Sequence, residues 1–261
     1  MASAETLRIA LAQINPHVGA LRANAERIRA ARAEGARLGA DLVITPEFSI
    51  SGYPPEDLVR KPAFVEACAA AIADLAQETA DGGPGLVVGG PWQDGEKLYN
   101  ALFVLEGGRI LARRAKHELP NYGVFDEKRV FDPGPCPGPV AFRGFRLGLM
   151  ICEDWWFQSV SETLSESGAE ILLSINASPF EVDKHERRIQ LGVARVVETG
   201  LPFVFTAQVG GQDELVFDGA SFVLNPDRSL AAVLPMFEEK VALTEWRREG
   251  GRLVCAPQPL P

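Results

Sequence analysis

Apolar residues recur along this chain in short bursts, and their spacing predicts most of the elements. Residues 7–14 alternate apolar and polar and predict a strand. Residues 21–38, rich in Ala, Arg and Glu, place Leu21, Ala25 and Ile28 at helical spacing and predict an amphipathic helix. A short apolar strand over 41–47 stops at Pro46-Glu47. A second helix is predicted over 63–79 and a strand over 86–88. Residues 98–105 and 109–112 flank Glu106-Gly107-Gly108 as a hairpin. The stretch 118–139 is irregular and full of Pro and Gly. A second hairpin-like pair, 140–143 and 145–152, joins at Gly144, and the pattern then repeats in type: helix 157–167, buried strand 171–175, helix 184–199. Strands are predicted at 203–207, 220–224, 231–234 and 240–243. Helices alternate with strands while hairpins intervene, which excludes a purely parallel doubly wound sheet and predicts an α/β fold with mixed sheets and helices outside. No linker, composition break or internal sequence repeat divides the chain, so a single domain over 1–261 is expected.

Charge and cysteine usage narrow the function. With 26 basic and 35 acidic residues, the net charge of −9 argues against an electrostatic grip on nucleic acid or anionic lipid. No apolar run approaches about 18 residues, so no membrane span is expected. The first residues lack the basic region and apolar stretch of a secretory signal, and the expectation is a cytoplasmic enzyme. Cys68, Cys136, Cys152 and Cys255 are scattered without a CxxC pair and share no ligand spacing with His17, His117 and His185. Neither a disulfide framework nor a metal site is implied.

Three polar residues stand where apolar strands stop, the place where ligands gather in α/β folds: Glu47, Lys116 and Cys152. Each has a plainer reading. Glu47 can cap a loop or helix, Lys116 can be a solvated cation beside Arg113 and Arg114, and Cys152 can be a small core residue. A cysteine nucleophile needs its thiolate, hence a base or a neighbouring cation. His117 and His185 lie in loop or helix-start contexts. Glu47 could accept the thiol proton instead, and Lys116 could hold the thiolate and then a developing oxyanion.

Glu, Lys and Cys in this order at strand ends resemble the nitrilase, or carbon–nitrogen hydrolase, superfamily. Local motifs narrow the resemblance to the glutaminase domain of glutamine-dependent NAD synthetases. They are Ser51-Gly52-Tyr53-Pro54-Pro55-Glu56-Asp57-Leu58, the run from Lys116-His117-Glu118-Leu119-Pro120-Asn121-Tyr122-Gly123 to Glu127, Ile151-Cys152-Glu153-Asp154, Asn176-Ala177-Ser178-Pro179-Phe180, and 208–219. The resemblance implies a four-layer α-β-β-α sandwich that associates further through its helical faces into a homo-oligomer. It implies Glu47 as general base, Lys116 as the oxyanion-stabilising lysine and Cys152 as nucleophile. The N–H following Cys152 becomes a second oxyanion donor, and Glu127 the supporting glutamate. For a glutamine substrate it implies Tyr122, Ser178 and Lys184 as binding residues and Glu153 as holder of the α-amino group. Each has a plainer reading: Tyr122 packing in its loop, Ser178 capping the turn at Pro179, and Lys184 as an ordinary first-turn lysine. Trp155 and Trp156 read as packing residues, as do the other three cysteines. Asp183 stands where such domains commonly carry Gly, and Ala207 where Asn is usual.

No metal or organic cofactor is implied. The synthetase half of such enzymes carries a Ser-Gly-Gly-type pyrophosphate loop, which these residues lack. The expectation is therefore a glutaminase that supplies ammonia to a separate ATP-dependent NAD synthetase subunit, or a piece of the longer enzyme. Two alternatives stand beside it: an amidase for another small amide, such as an ω-amide or a carbamoyl compound, and an idle regulatory module of the synthetase.

Overall fold

The structure, a computed structural model, describes residues 5–258; the start at 1–4 and the end at 259–261 lie outside the described residues. In chain order the first half holds β1 (Thr6–Gln13), α1 (Leu21–Arg37), β2 (Leu42–Ile44), α2 (Pro62–Glu78), β3 (Gly85–Asp94), β4 (Lys97–Glu106) and β5 (Arg109–Ala115). Then follow β6 (Val140–Phe142), β7 (Phe145–Ile151), α3 (Gln158–Glu166), β8 (Ile171–Asn176), α4 (Lys184–Thr199) and β9 (Phe203–Ala207). The remainder is strand: β10 (Val209–Gln212), β11 (Leu215–Asp218), β12 (Phe222–Leu224), β13 (Leu230–Val233), β14 (Lys240–Glu249) and β15 (Arg252–Cys255).

One seven-stranded sheet has the order β15-β14-β1-β2-β3-β4-β5, and a six-stranded sheet the order β13-β12-β9-β8-β7-β6. Each has a parallel centre, β1-β2-β3 and β7-β8-β9, with antiparallel strands on its flanks. Side-chain alternation sorts the layers. In β1, Ile9 and Leu11 meet Leu149, Ile151, Leu173 and Ile175 of the other sheet. Ala10 and Ala12 face Ile28 of α1 and join the cluster that includes Ile72 and Leu75 of α2. On the far side Val160 and Leu164 of α3 and Val196 of α4 cover Leu172, Phe203 and Phe205. The result is the expected α-β-β-α sandwich. Its central strands are covered on both faces, which is why their sequences read as nearly continuous apolar runs.

The four helices lie within one or two residues of the predicted bounds. The strands depart more. β3 runs from Gly85 to Asp94 rather than over 86–88, because its distal half forms a long hairpin with β4, Asp94 facing Lys97. β12 begins at Phe222, and Ala220, predicted as strand, takes a left-handed φ of 48°. The hairpin β10–β11 and the strand β15 were not expected. Both are short, and β15 follows the glycine pair Gly250-Gly251, where apolar periodicity has no length to register.

Candidate active site

Both sheets present the carboxyl ends of their parallel strands to one region. The chain leaves β2 through Thr45, whose backbone N–H and side-chain hydroxyl both bond to the Val87 carbonyl, at 3.0 and 2.8 Å. The following loop folds across β3 so closely that a Cβ on Gly89 would lie 2.4 Å from the Phe48 nitrogen; only glycine fits there. Phe48 pays with a φ of +50°, and Glu47 is thereby turned inward, fully buried. Lys116 continues β5 by one residue, its N–H donating to the Asn100 carbonyl at 2.8 Å. Cys152 opens a 3-10 turn, Cys152–Trp155, with a φ of +45°. Two side chains of the site thus hang from backbone forced into, or beside, the left-handed region.

Asp154 ties these segments together. Its Oδ2 accepts the Ile151 N–H at 3.0 Å, and its Oδ1 accepts the His117 and Glu118 N–H groups at 2.9 and 2.8 Å. The loop after Lys116 is thereby locked to the turn that starts at Cys152.

The buried centre is a network of charges. Lys116 Nζ donates to Glu47 Oε1 at 2.8 Å and to Glu127 Oε1 at 2.9 Å, and neither Lys116 nor Glu47 has any exposed surface. Asn100, on β4, donates through Nδ2 to Glu47 Oε1 at 2.7 Å and more loosely to Glu127 Oε2 at 3.4 Å. Glu47 Oε2 accepts the Ala177 N–H, just beyond β8, at 2.9 Å. Tyr53 donates to Glu127 Oε1 at 3.0 Å. One ammonium between two carboxylates in a dry interior is stable only because nearly every lone pair is satisfied.

The electrostatics follow. Burial pushes the Cys152 thiol well above the ordinary cysteine value; Glu47 adds to the shift, and Lys116 only partly offsets it. Burial alone would lower the Lys116 ammonium, but Glu127, Glu47 and Cys152 hold it well above the usual lysine range. Burial raises Glu127 to about 7 against the pull of Lys116. Asp154 rises to about 6 for the same reason, despite its three backbone donors. A neutral thiol beside a carboxylate and a permanently charged ammonium is equipped for acyl transfer in which the proton leaves sulfur only as sulfur attacks.

Beside this centre opens a cavity of about 670 Å³ whose wall includes Tyr122, Glu153, Lys184, Phe125 and Trp156. The Tyr122 hydroxyl lies 3.0 Å from both Glu153 oxygens. Burial raises the Glu153 carboxyl, with the Tyr122 hydrogen bond pulling it back. Lys184 pairs with Glu181 and sits 5.9 Å over the Phe125 ring. Tyr122, Glu153 and Lys184 are therefore brought together. Ser178 is not at this wall; its Oγ and carbonyl accept from Arg188 Nη2 at 3.2 and 2.9 Å, while Arg188 Nη1 bonds both oxygens of Asp218 at 2.9 and 2.8 Å. Trp155 is fully buried, as expected of a packing residue, its indole N–H on Asn176 Oδ1 at 2.9 Å. Cys68 and Cys255 are buried thiols raised to about 12 by burial, and Cys136 is exposed.

Sequence reasoning missed Asn100, the Tyr53 contact to Glu127, the Asp154 clamp and the Arg188–Asp218 pair. Asp154 had a signal: an acid two residues past a strand-end nucleophile. Asn100 had none.

The comparisons with known proteins agree with this architecture. The family model described as carbon-nitrogen hydrolase matches residues 8–254. The glutamine-dependent NAD(+) synthetase of Rhodobacter capsulatus is 48% identical over 260 residues, 97% of this chain but 47% of that protein. The chain thus spans about half the length of the curated relatives it matches. The glutamine-dependent NAD+ synthetase of Acinetobacter baumannii superposes with a TM-score of 0.92 at 34% identity, covering 98% of this chain and 48% of that one. A mutant amidase from Nesterenkonia sp. AN1, with acrylamide added at its active-site cysteine, gives 0.80 at 28% identity over 91% of this chain and 92% of its own.

Proposed function

The chain belongs to the carbon–nitrogen hydrolase family and acts as a hydrolase on amides, and on that premise we propose that it hydrolyses the side-chain amide of L-glutamine through a thioester on Cys152. The ammonia passes to an ATP-dependent NAD synthetase, as a separate subunit or as the remainder of a longer chain. The observation that carries this reading is the buried Glu47–Lys116 pair, at 2.8 Å, beside a thiol that burial keeps protonated.

Glu47 takes the Cys152 proton as sulfur attacks the amide carbon, and a C–S bond forms. Lys116 and the Glu153 backbone N–H hold the oxyanion. Collapse breaks the C–N bond, and Glu47 returns its proton to the departing nitrogen, releasing ammonia. Glu47 next takes a proton from water as its oxygen attacks the thioester. The C–S bond breaks, glutamate leaves, and the proton returns to sulfur. Glu127 keeps Lys116 charged throughout. In the cavity, the Glu153 carboxylate oriented by Tyr122 meets the substrate ammonium, and Lys184, released from Glu181, meets its carboxylate.

Ammonia release from L-glutamine, measured with and without an NAD synthetase and its dinucleotide substrate, tests the reading. Turnover that rises when the loaded synthetase is added is the expected result. A second reading, a free-standing amidase for another small amide, is favoured by the Nesterenkonia amidase, which matches over nearly the whole of both chains. Rapid turnover of short amides with none of glutamine would select it.

A further inference from the structure

Glu47 has two oxygens, and they are not equivalent. Oε1 accepts from Lys116 Nζ at 2.8 Å and from Asn100 Nδ2 at 2.7 Å, which fills both of its in-plane lone pairs. Among the described residues, Oε2 accepts only the Ala177 N–H, at 2.9 Å, and keeps one lone pair free. The carboxylate itself cannot turn, because three donors from three separate segments hold it. Asn100 is fully buried on β4, and its orientation is fixed: turning the amide over would bring Oδ1 against two carboxylates. The cost of this orientation is visible, since Asn100 Oδ1 is buried with no hydrogen-bond partner among the described residues. A residue that leaves one end unsatisfied to donate twice from the other is placed for the donation.

We propose that Asn100 is a positioning residue for catalysis: by occupying Glu47 Oε1 together with Lys116, it leaves Oε2 as the atom that exchanges protons with Cys152, the leaving nitrogen and water. The proposal rests on the reading of Glu47 as general base. Without the amide, Lys116 remains bonded to Oε1 but the second lone pair of that oxygen is released. The proton then has two places to go instead of one.

The test compares Asn100→Leu and Asn100→Asp with the unmodified chain, reading amide hydrolysis and kcat/KM against pH. Asn100→Leu is expected to lower kcat about 30-fold, with KM within twofold and the shape of the pH profile unchanged. Asn100→Asp preserves the size of the residue but donates to Glu47 only while protonated. Its activity is therefore expected to survive best at low pH and to fall as pH rises through the titration of the new carboxyl, which the leucine variant lacks. A role in packing alone predicts equal losses for each variant at every pH. Parallel profiles, or a loss confined to KM, would overturn the proposal. The underlying reading fails separately: hydrolysis that persists in Cys152→Ala, with no acyl adduct detectable by mass in the unmodified enzyme, rejects the thiol mechanism whatever Asn100 does.

Discussion

The two sheets contribute unlike chemistry to one centre. The seven-stranded sheet supplies the fixed charges, with Glu47 beyond β2, Lys116 beyond β5 and Asn100 on β4. The six-stranded sheet supplies the thiol of Cys152 beyond β7 and a backbone donor at Ala177 beyond β8. The charged half is a closed network whose members need one another to be buried at all. The Cys152 thiol is no part of that hydrogen-bonded network, and it costs little to remove. Substitutions on the two sides therefore differ in what they break: on one side chemistry alone, on the other chemistry and fold together.

The largest contrast is expected at the thiol. Cys152→Ala should abolish glutamine hydrolysis, a loss of at least about 10⁴-fold, with the melting temperature unchanged or slightly raised. Lys116→Met should cost about 10³-fold in kcat and, unlike the thiol change, about 3–5 kcal/mol of stability, because Glu47 and Glu127 are left buried without their cation. Chemical denaturation of both variants checks the difference. Asp154→Asn probes the seam between the halves. An amide there presents a donor to N–H groups that need acceptors, so about 1–3 kcal/mol and about tenfold in kcat should be lost together. If stability falls alone, the seam does not align the site.

The smallest effect is a slope. Glu127 is raised by burial to about 7, above its ordinary value of 4.5, so the folded chain holds this proton where the unfolded chain has released it. The contribution is full below about pH 4.5 and is lost as pH rises through about 7. The melting temperature should therefore fall from pH 5 to pH 8, and Glu127→Gln should fall less over the same interval. Asp154, raised to about 6, keeps part of the slope in that variant.

What could be read in advance follows from where each residue stands. Glu47 and Cys152 were legible because each interrupts an apolar run at the end of a strand, and Lys116 because it opens the Pro- and Gly-rich motif after β5. The layers were legible because Ile9 and Leu11 alternate with Ala10 and Ala12 at period two. Asn100 was not, since it sits inside β4 between Tyr99 and Ala101, where a polar residue reads as the outward face of a strand. Its inward role exists only once β3 and β4 pair in register, Pro91 opposite Asn100, and bring it under the Glu47 loop. Ser178 was placed by motif at the substrate end, and its hydroxyl accepts from the buried guanidinium of Arg188, a contact between the loop after β8 and the following α4 that no strand or helix period marks.

The order β15-β14-β1-β2 has a consequence for how the molecule is made. The outer edge of β1 is covered by β14, Thr6 opposite Arg247 and Gln13 opposite Lys240. A ribosome adding about 5–20 residues per second delivers that cover roughly ten to fifty seconds after β1 has emerged. For that interval a strand of TLRIALAQ, apolar and able to pair with any open edge, has no native neighbour on one side. Arg8, its single charged residue, projects to solvent and later meets Glu245 of β14 at 3.1 Å. Until then it is the strand's own guard against pairing with another nascent chain.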